Sequence, residues 1–134
     1  MHGLHLTADL LDCPAGMAAM TQVQALRELC VAEVKAAGLQ PVGELFHAFE
    51  PAGVHGQPGG ITGVVLLAES HLAVHTWPEL GGVTLDVYVC NFGADNRGRA
   101  EALMQALLAA FRPGRVDRQG LERGRWPVAA VAAA

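Results

Sequence analysis

Between residues 66 and 80 the chain reads LLAESHLAVHTWPEL, and Glu69, Ser70, His71, His75, Trp77 and Glu79 crowd into eleven positions. Few residue types able to do chemistry are missing from that stretch. A metal site is the first candidate. The Val, Thr and Trp content of HLAVHTW and the proline after it disfavour a helix, and on a strand His71 and His75 stand about 13 Å apart on one face. One ion cannot bridge that gap, and His47 and His55 would join only through tertiary contact, so hydrogen-bonded or surface histidines outweigh a zinc site. A serine hydrolase fits no better. The chain has no GxSxG turn, and Ser70 reads as a residue within a strand. A Cys-His pair built on Cys90 is equally unspecific. Taken singly, each of these residues is better explained by structure than by catalysis.

Taken together they allow another reaction, in which Ser70 acts on its own backbone. A serine hydroxyl can attack the preceding carbonyl, here that of Glu69, and convert the amide into an ester. A base then removes the serine Cα proton, elimination breaks the chain, and the dehydroalanine left at the new N-terminus hydrolyses to a pyruvoyl group. This needs a strained serine, a hydroxyl to stabilise the tetrahedral intermediate and a histidine base. Ser70, Thr62 and His75 supply those types.

The elements that must position them follow from periodicity. LHLTADLLD (4–12) reads as a first strand ending before Pro14. Residues 20–39 carry Val23, Leu26, Leu29 or Cys30, Val34 and Ala37 at helical spacing, with Thr21 as N-cap and Gly38 as stop. PVGELFHAF (41–49) is a second strand and 50–60 a glycine- and proline-rich loop. ITGVVLLAES (61–70) is a third strand that HLAVHTW (71–77) continues or follows as a fourth. Pro78 and ELGG make a turn. Residues 83–92 alternate as a half-buried strand, 94–111 form a second amphipathic helix capped by Asp95 or Asn96, and a short strand follows at 115–122. The order predicts an α+β fold, a mainly antiparallel sheet with two helices on one face, whose other face needs a partner such as a second copy.

Composition sets the limits. The 134 residues make one domain, 1–134, with 51% hydrophobic and 16% charged residues, so a packed core is expected. A net charge of −4 lacks the basic stripe that nucleic acid requires. The N-terminus has no basic region ahead of an apolar run, and no run approaches the roughly 18 residues that span a bilayer. Cys13, Cys30 and Cys90 fit neither a disulfide framework nor a metal knuckle, which points to reduced thiols and a cytoplasmic location.

AESHLAVHTWPE followed by LDVYVC resembles the signature of the prokaryotic S-adenosylmethionine decarboxylase proenzymes, a pyruvoyl-dependent family. GLHLTADLLDC, FHAF and GITGVVLLAESH resemble its first strands and residues 101–111 its last helix, so the likeness covers most of the chain. The resemblance implies a two-layer α/β sandwich that assembles as a homodimer. It implies cleavage between Glu69 and Ser70 into 1–69 and 70–134, with a pyruvoyl cofactor formed from Ser70 and bound to the substrate as a Schiff base. It further implies His75 as processing base, Thr62 as processing hydroxyl, Cys90 as proton donor, Phe49 and Trp77 as aromatic contacts to adenine, and Glu79 as acceptor of the ribose hydroxyls. The product would be the aminopropyl donor of spermidine biosynthesis.

Three departures stand out. Thr62 replaces the usual serine, VCNFG replaces Cys-Gly, and the 50–60 loop is longer and carries His55. A changed pocket would suit the relatives that decarboxylate ornithine or arginine, whose distal cation Glu79 could face. Phe49 and Trp77 favour the nucleoside. A non-cleaving binding homologue is the third reading, and the presence of Ser70, His75 and Cys90 together weighs against it.

Overall fold

The computed structural model describes residues 2–51 and 58–125, so His55 and the tail from residue 126 lie outside the described residues. Strand β1 (Gly3–Leu11) is followed by a one-turn helix α1 (Ala18–Thr21), helix α2 (Val23–Ala36) and strands β2 (Pro41–Ala48), β3 (Ile61–Leu67) and β4 (Ser70–Trp77). A 3₁₀ turn (Pro78–Leu80) leads into β5 (Gly82–Cys90), helix α3 (Arg97–Phe111) and β6 (Arg115–Arg123). The six strands form one sheet in the order β2-β3-β4-β5-β1-β6, and every neighbouring pair is antiparallel. No helix among the described residues is long and apolar enough to cross a membrane.

Period-two alternation decides which face is covered. In β4 and β5, Leu72, Val74, Leu85 and Val87 are buried, while His71, His75, Thr84 and Asp86 between them are only partly covered. The register places Leu72 beside Val65 and Val87, and Val87 beside Leu6, so one apolar row crosses the sheet. Leu26, Cys30 and Val34 of α2 and Leu103, Met104, Leu107 and Phe111 of α3 complete the same cluster. Both long helices therefore lie on one face, as the amphipathic spacing predicts. Each fully buried Leu, Val or Phe contributes about 1.5–3 kcal/mol through burial. Gly63 is also needed for this layer. A Cβ there would lie 2.2 Å from the ring of Phe46, its partner across β2 and β3.

Two boundaries differ from the sequence expectation. The helix expected over 20–39 is broken at Gln22, whose backbone is extended (φ −109°, ψ 113°), and Thr21 ends α1 and caps nothing. The reason is Thr76, a buried hydroxyl on β4. It donates to the Met20 carbonyl at 2.8 Å and accepts from the Ile61 N–H at 2.9 Å. Satisfying both bonds pulls Met20 onto the sheet, and the chain bends before α2 can start. Gly38 does stop the helix, at φ 84°, with Leu39 N–H donating to the Val34 carbonyl, the left-handed ending that glycine favours. The second difference is at Ala68–Glu69, where the expected long third strand folds back as a hairpin pairing Leu67 with Ser70.

Phe111 is fully buried where α3 ends against the sheet. Phe111→Ala should cost about 3–5 kcal/mol through lost burial and the cavity left behind. Urea unfolding of the uncleavable Ser70→Ala chain at fixed concentration checks this. The midpoint should fall while the denaturant slope stays unchanged.

Candidate active site

Ser70 is the first residue of β4, directly after a two-residue turn, and not within a strand as the sequence suggests. Glu69 holds φ at +57°. That left-handed conformation costs a residue with a Cβ about 1–2 kcal/mol, and strain of this kind gathers at functional positions. The strained residue is the one whose carbonyl precedes Ser70. The Ser70 hydroxyl accepts a hydrogen bond from the backbone N–H of Cys90 at 3.0 Å. With a donor already on its oxygen, the hydroxyl keeps its own proton available to a base. Cys90 ends β5 and is 5% exposed. Its carbonyl accepts from Asn96 Nδ2 at 2.8 Å, and the following Asn91 N–H donates to the His2 carbonyl at 2.8 Å. The cysteine backbone is thus tied on three sides.

The other thiols are removed from this site. Burial pushes the Cys30 thiol up to about 12. Cys13, beyond the far end of β1, is raised by burial and then by the neighbouring Asp12 carboxylate. Both remain protonated core residues.

Thr62 and His75 form a second pair. They are directly opposite in the β3–β4 register, and Thr62 Oγ1 lies 3.1 Å from His75 Nδ1. A cleft of about 490 Å³ opens beside them, with Phe49, Gly60, Trp77 and Glu79 among its lining. The Trp77 ring is 5.9 Å from that of His75 at a 37° tilt. Phe49 packs edge-on to His47 with ring centroids 4.8 Å apart, and it is 53% exposed, so its face is free for a ligand. Glu79 reaches the cleft on the 3₁₀ turn that Pro78 opens and Gly81 closes at φ 60°. At Gly60 a Cβ would meet the Thr76 carbonyl at 2.0 Å, so only glycine lets the chain pass this close to β4.

All eight expected site residues therefore fall into two groups. Glu69, Ser70 and Cys90 stand at one end of the hairpin, and Thr62, His75, Phe49, Trp77 and Glu79 at the other. Five residue steps along β4 separate Ser70 from His75, about 16 Å of strand. Within one chain His75 and Ser70 do not meet.

A third cluster was missed by reasoning from the sequence. His5 Nε2 lies 3.1 Å from Asp86 Oδ1 on the face away from the helices. His71 packs against both His5 and Tyr88, with centroids 6.3 and 5.6 Å away, and the Arg123 guanidinium sits 5.4 Å over the Tyr88 ring. Alternation alone puts His5, His71, Asp86 and Tyr88 on faces of their own strands. Only the β1–β5 and β4–β5 registers, which pattern does not reveal, bring them together. His71 is held below its ordinary value by burial first, then by His5, with Arg123 adding to this and Asp86 opposing it.

The architecture is a two-layer α+β domain whose candidate site residues lie on or beside the β3–β4 hairpin, the end of β2 and the end of β5. Its sequence matches the model of the S-adenosylmethionine decarboxylase family over residues 4–124, and the chain belongs to that family. It is 40% identical over 122 residues to the S-adenosylmethionine decarboxylase proenzyme of Aquifex aeolicus, covering 91% of this chain and 81% of that protein. It is also 40% identical over 126 residues to the proenzyme of Persephonella marina, covering 94% and 85%. The crystal structure of the adenosylmethionine decarboxylase from Aquifex aeolicus matches the fold with a TM-score of 0.79 at 38% identity, over 94% of this chain and 93% of that one.

The lowered His71 sets a pH dependence. Above about pH 6.5, the ordinary histidine value, the ring is neutral in folded and unfolded chains alike, and stability is complete. Below it the unfolded ring takes up a proton more readily than the folded one, so stability is lost as pH falls through the folded value. The melting temperature of the Ser70→Ala chain should drop from pH 6.5 to 5, and His71→Gln should flatten that slope.

Proposed function

We propose that the protein is a self-processing, pyruvoyl-dependent decarboxylase of S-adenosylmethionine. The observation that carries this reading is the Glu69–Ser70 junction, where a left-handed residue precedes a serine whose oxygen already accepts the Cys90 N–H. Attack of Ser70 Oγ on the Glu69 carbonyl exchanges an amide for an ester and relieves the strained turn. His75, with its Thr62 contact, removes the Ser70 Cα proton as the Glu69 carboxylate departs, which splits the chain into 1–69 and 70–134. Addition of water and loss of ammonia leave the pyruvoyl group on residue 70. The residues around Ser70 fit that product, because the group is residue 70 itself, its α-nitrogen exchanged for a ketone oxygen and its hydroxyl lost, next to the Cys90 backbone. When formed, its carbonyl supplies the electron sink for decarboxylation. Cys90 then holds the proton that is returned to the product.

Substrate recognition belongs to the cleft. The exposed faces of Phe49 and Trp77 suit adenine and the adjacent sulfonium, since aromatic faces attract cations. Glu79 suits the ribose hydroxyls as a hydrogen-bond acceptor.

The 16 Å separation argues that two copies share each site. An antiparallel pairing of two sheets over their open faces would bring Thr62 and His75 of one chain to the Glu69–Ser70 turn of the other, beside the end of its β5 at Cys90. The open face supports such an assembly, because Leu45, Leu66 and Leu121 on it are 71%, 49% and 60% exposed. Apolar side chains in such number on an uncovered sheet are what a second copy would bury.

Two measurements test this reading. Denaturing mass spectrometry of the intact protein should give fragments split at 69/70, the second reactive toward a carbonyl reagent, while Ser70→Ala remains one 14.0 kDa chain. A single uncleaved wild-type chain would overturn the proposal and favour a binding homologue. The processed protein should then release CO₂ from S-adenosylmethionine. Preferential release from ornithine or arginine would assign the cleft to a diamino acid instead.

The shared site has its own test. Ser70→Ala and His75→Ala chains should each stay whole when made alone. When co-expressed, the His75→Ala chain should be cleaved, served by the His75 of its partner. Absence of cleavage in the mixture, with mixed dimers present, would place base and serine in one chain.

A further inference from the structure

Asn96 occupies the N-cap position of α3, yet its side chain makes no bond to the helix. An asparagine there usually turns its oxygen onto the first free N–H groups and so stabilises the helix end. Here both ends of the carboxamide are used elsewhere. Nδ2 donates to the Cys90 carbonyl at 2.8 Å, and Oδ1 accepts from Arg99 Nη1 at 2.8 Å. Asp95 takes the Arg97 N–H instead, at 3.1 Å. The Asn96 backbone is fixed in turn, because its N–H donates to Asn91 Oδ1 at 2.8 Å. That arrangement leaves Asn91 Nδ2 buried without a partner among the described residues, a further cost to the folded loop. A loop that forgoes a cap and strands a donor is organised around something other than its own stability. What it holds is the carbonyl of Cys90, the residue whose own N–H, one peptide unit earlier, meets the Ser70 oxygen.

We propose that Asn96 is a positioning residue for self-cleavage, acting on Ser70 through the Cys90 backbone. The chain of contacts runs from Arg99, which orients the carboxamide, through Asn96 Nδ2 to the Cys90 carbonyl. The Cys90 N–H, on the near side of the same residue, then fixes the Ser70 hydroxyl against the strained Glu69 carbonyl. Where the loop after the cysteine would ordinarily begin with glycine, Asn91 and Phe92 stand here, and the carboxamide pair Asn91–Asn96 gives that bulkier loop a defined path. This inference rests on the self-processing reading above and adds a residue that reading does not require.

Asn96→Asp separates positioning from stability. Aspartate keeps the acceptor for Arg99 and is a strong N-cap favoured by the helix dipole, but it cannot donate to the Cys90 carbonyl. The first readout is the rate at which full-length precursor splits at 69/70, followed by denaturing mass spectrometry after synthesis. The variant should cleave about tenfold more slowly, the loss of roughly one hydrogen bond to the geometry of the reacting groups, with an unchanged or higher melting temperature. The second readout is amide exchange at Cys90 in a His75→Ala background, where the precursor persists with Ser70 intact. Asn96→Asp should speed exchange of that amide. Should the aspartate chain not fold, Asn96→Ser, also a good cap but too short to reach Cys90, should reproduce the slowing. Cleavage at the wild-type rate in a folded variant would overturn the proposal. So would slower cleavage accompanied by an equal loss of stability in both variants. A wild-type chain that never splits would instead defeat the self-processing reading itself, and the two failures are distinguishable.

Discussion

The two-residue turn at Ala68–Glu69 is the constraint on which the rest of the molecule depends. Sheet register has a period of two, so the position of that turn decides which residues of β3 and β4 face each other and which face they share. With Leu67 opposite Ser70, Thr62 falls opposite His75, and their side chains meet at 3.1 Å. A turn one residue longer or shorter would send His75 to the helix side and Leu72 to the open side. The same turn leaves Glu69 at positive φ. The conformation is held by pairing on both sides, since β3 and β4 are flanked by β2 and β5, and a strained residue persists only where its surroundings over-determine it.

The helical layer keeps this arrangement rigid. Thr76, one residue beyond His75, points the other way and ties β3 to α1 through two hydrogen bonds. The side chains on either side of it, His75 and Trp77, line the cleft. A buried network on one face thus fixes the orientation of functional groups on the other. At the opposite end of the hairpin the loop after Cys90 plays the same part, with Asn96 and His2 holding the cysteine peptide from two directions.

Most of the fold was legible in the sequence because burial imposes simple periods. The alternation in 83–92 and the spacing of Leu26, Cys30 and Val34 are direct records of a one-sided core. The hairpin was not legible, and for a physical reason. Tight turns usually announce themselves with Gly, Asn or Asp, whereas LAES offers glutamate at the left-handed position. A residue placed there against its preference leaves no turn signal. The break at Gln22 was hidden likewise, since its cause is a tertiary bond from Thr76. The eight candidate residues were named from motif and resemblance, but their division into two groups depends on strand length and register, which a motif read as one segment conceals. His5 and Asp86 gave no local signal and Asn96 read only as a helix cap, because each acquires its partner only across the sheet or the loop.

That division bears on when the chain can react. On the reading proposed here, the strained carbonyl and the serine lie in every newly folded chain, but the base lies about 16 Å away on the same strand. A lone chain would carry the strain without the means to release it. Stacking a second copy on the open face would supply the base and, with it, the cleft that binds substrate. Cleavage would then follow assembly, and the reactive carbonyl would form only inside a site already closed by its partner. A site contained in one chain would give no such order. The same geometry explains why the open face can combine exposed leucines with the half-buried His5, His71 and Asp86 cluster. On that reading apolar surface would drive association, and the polar groups placed among it would fix the register that brings His75 to the Glu69–Ser70 turn.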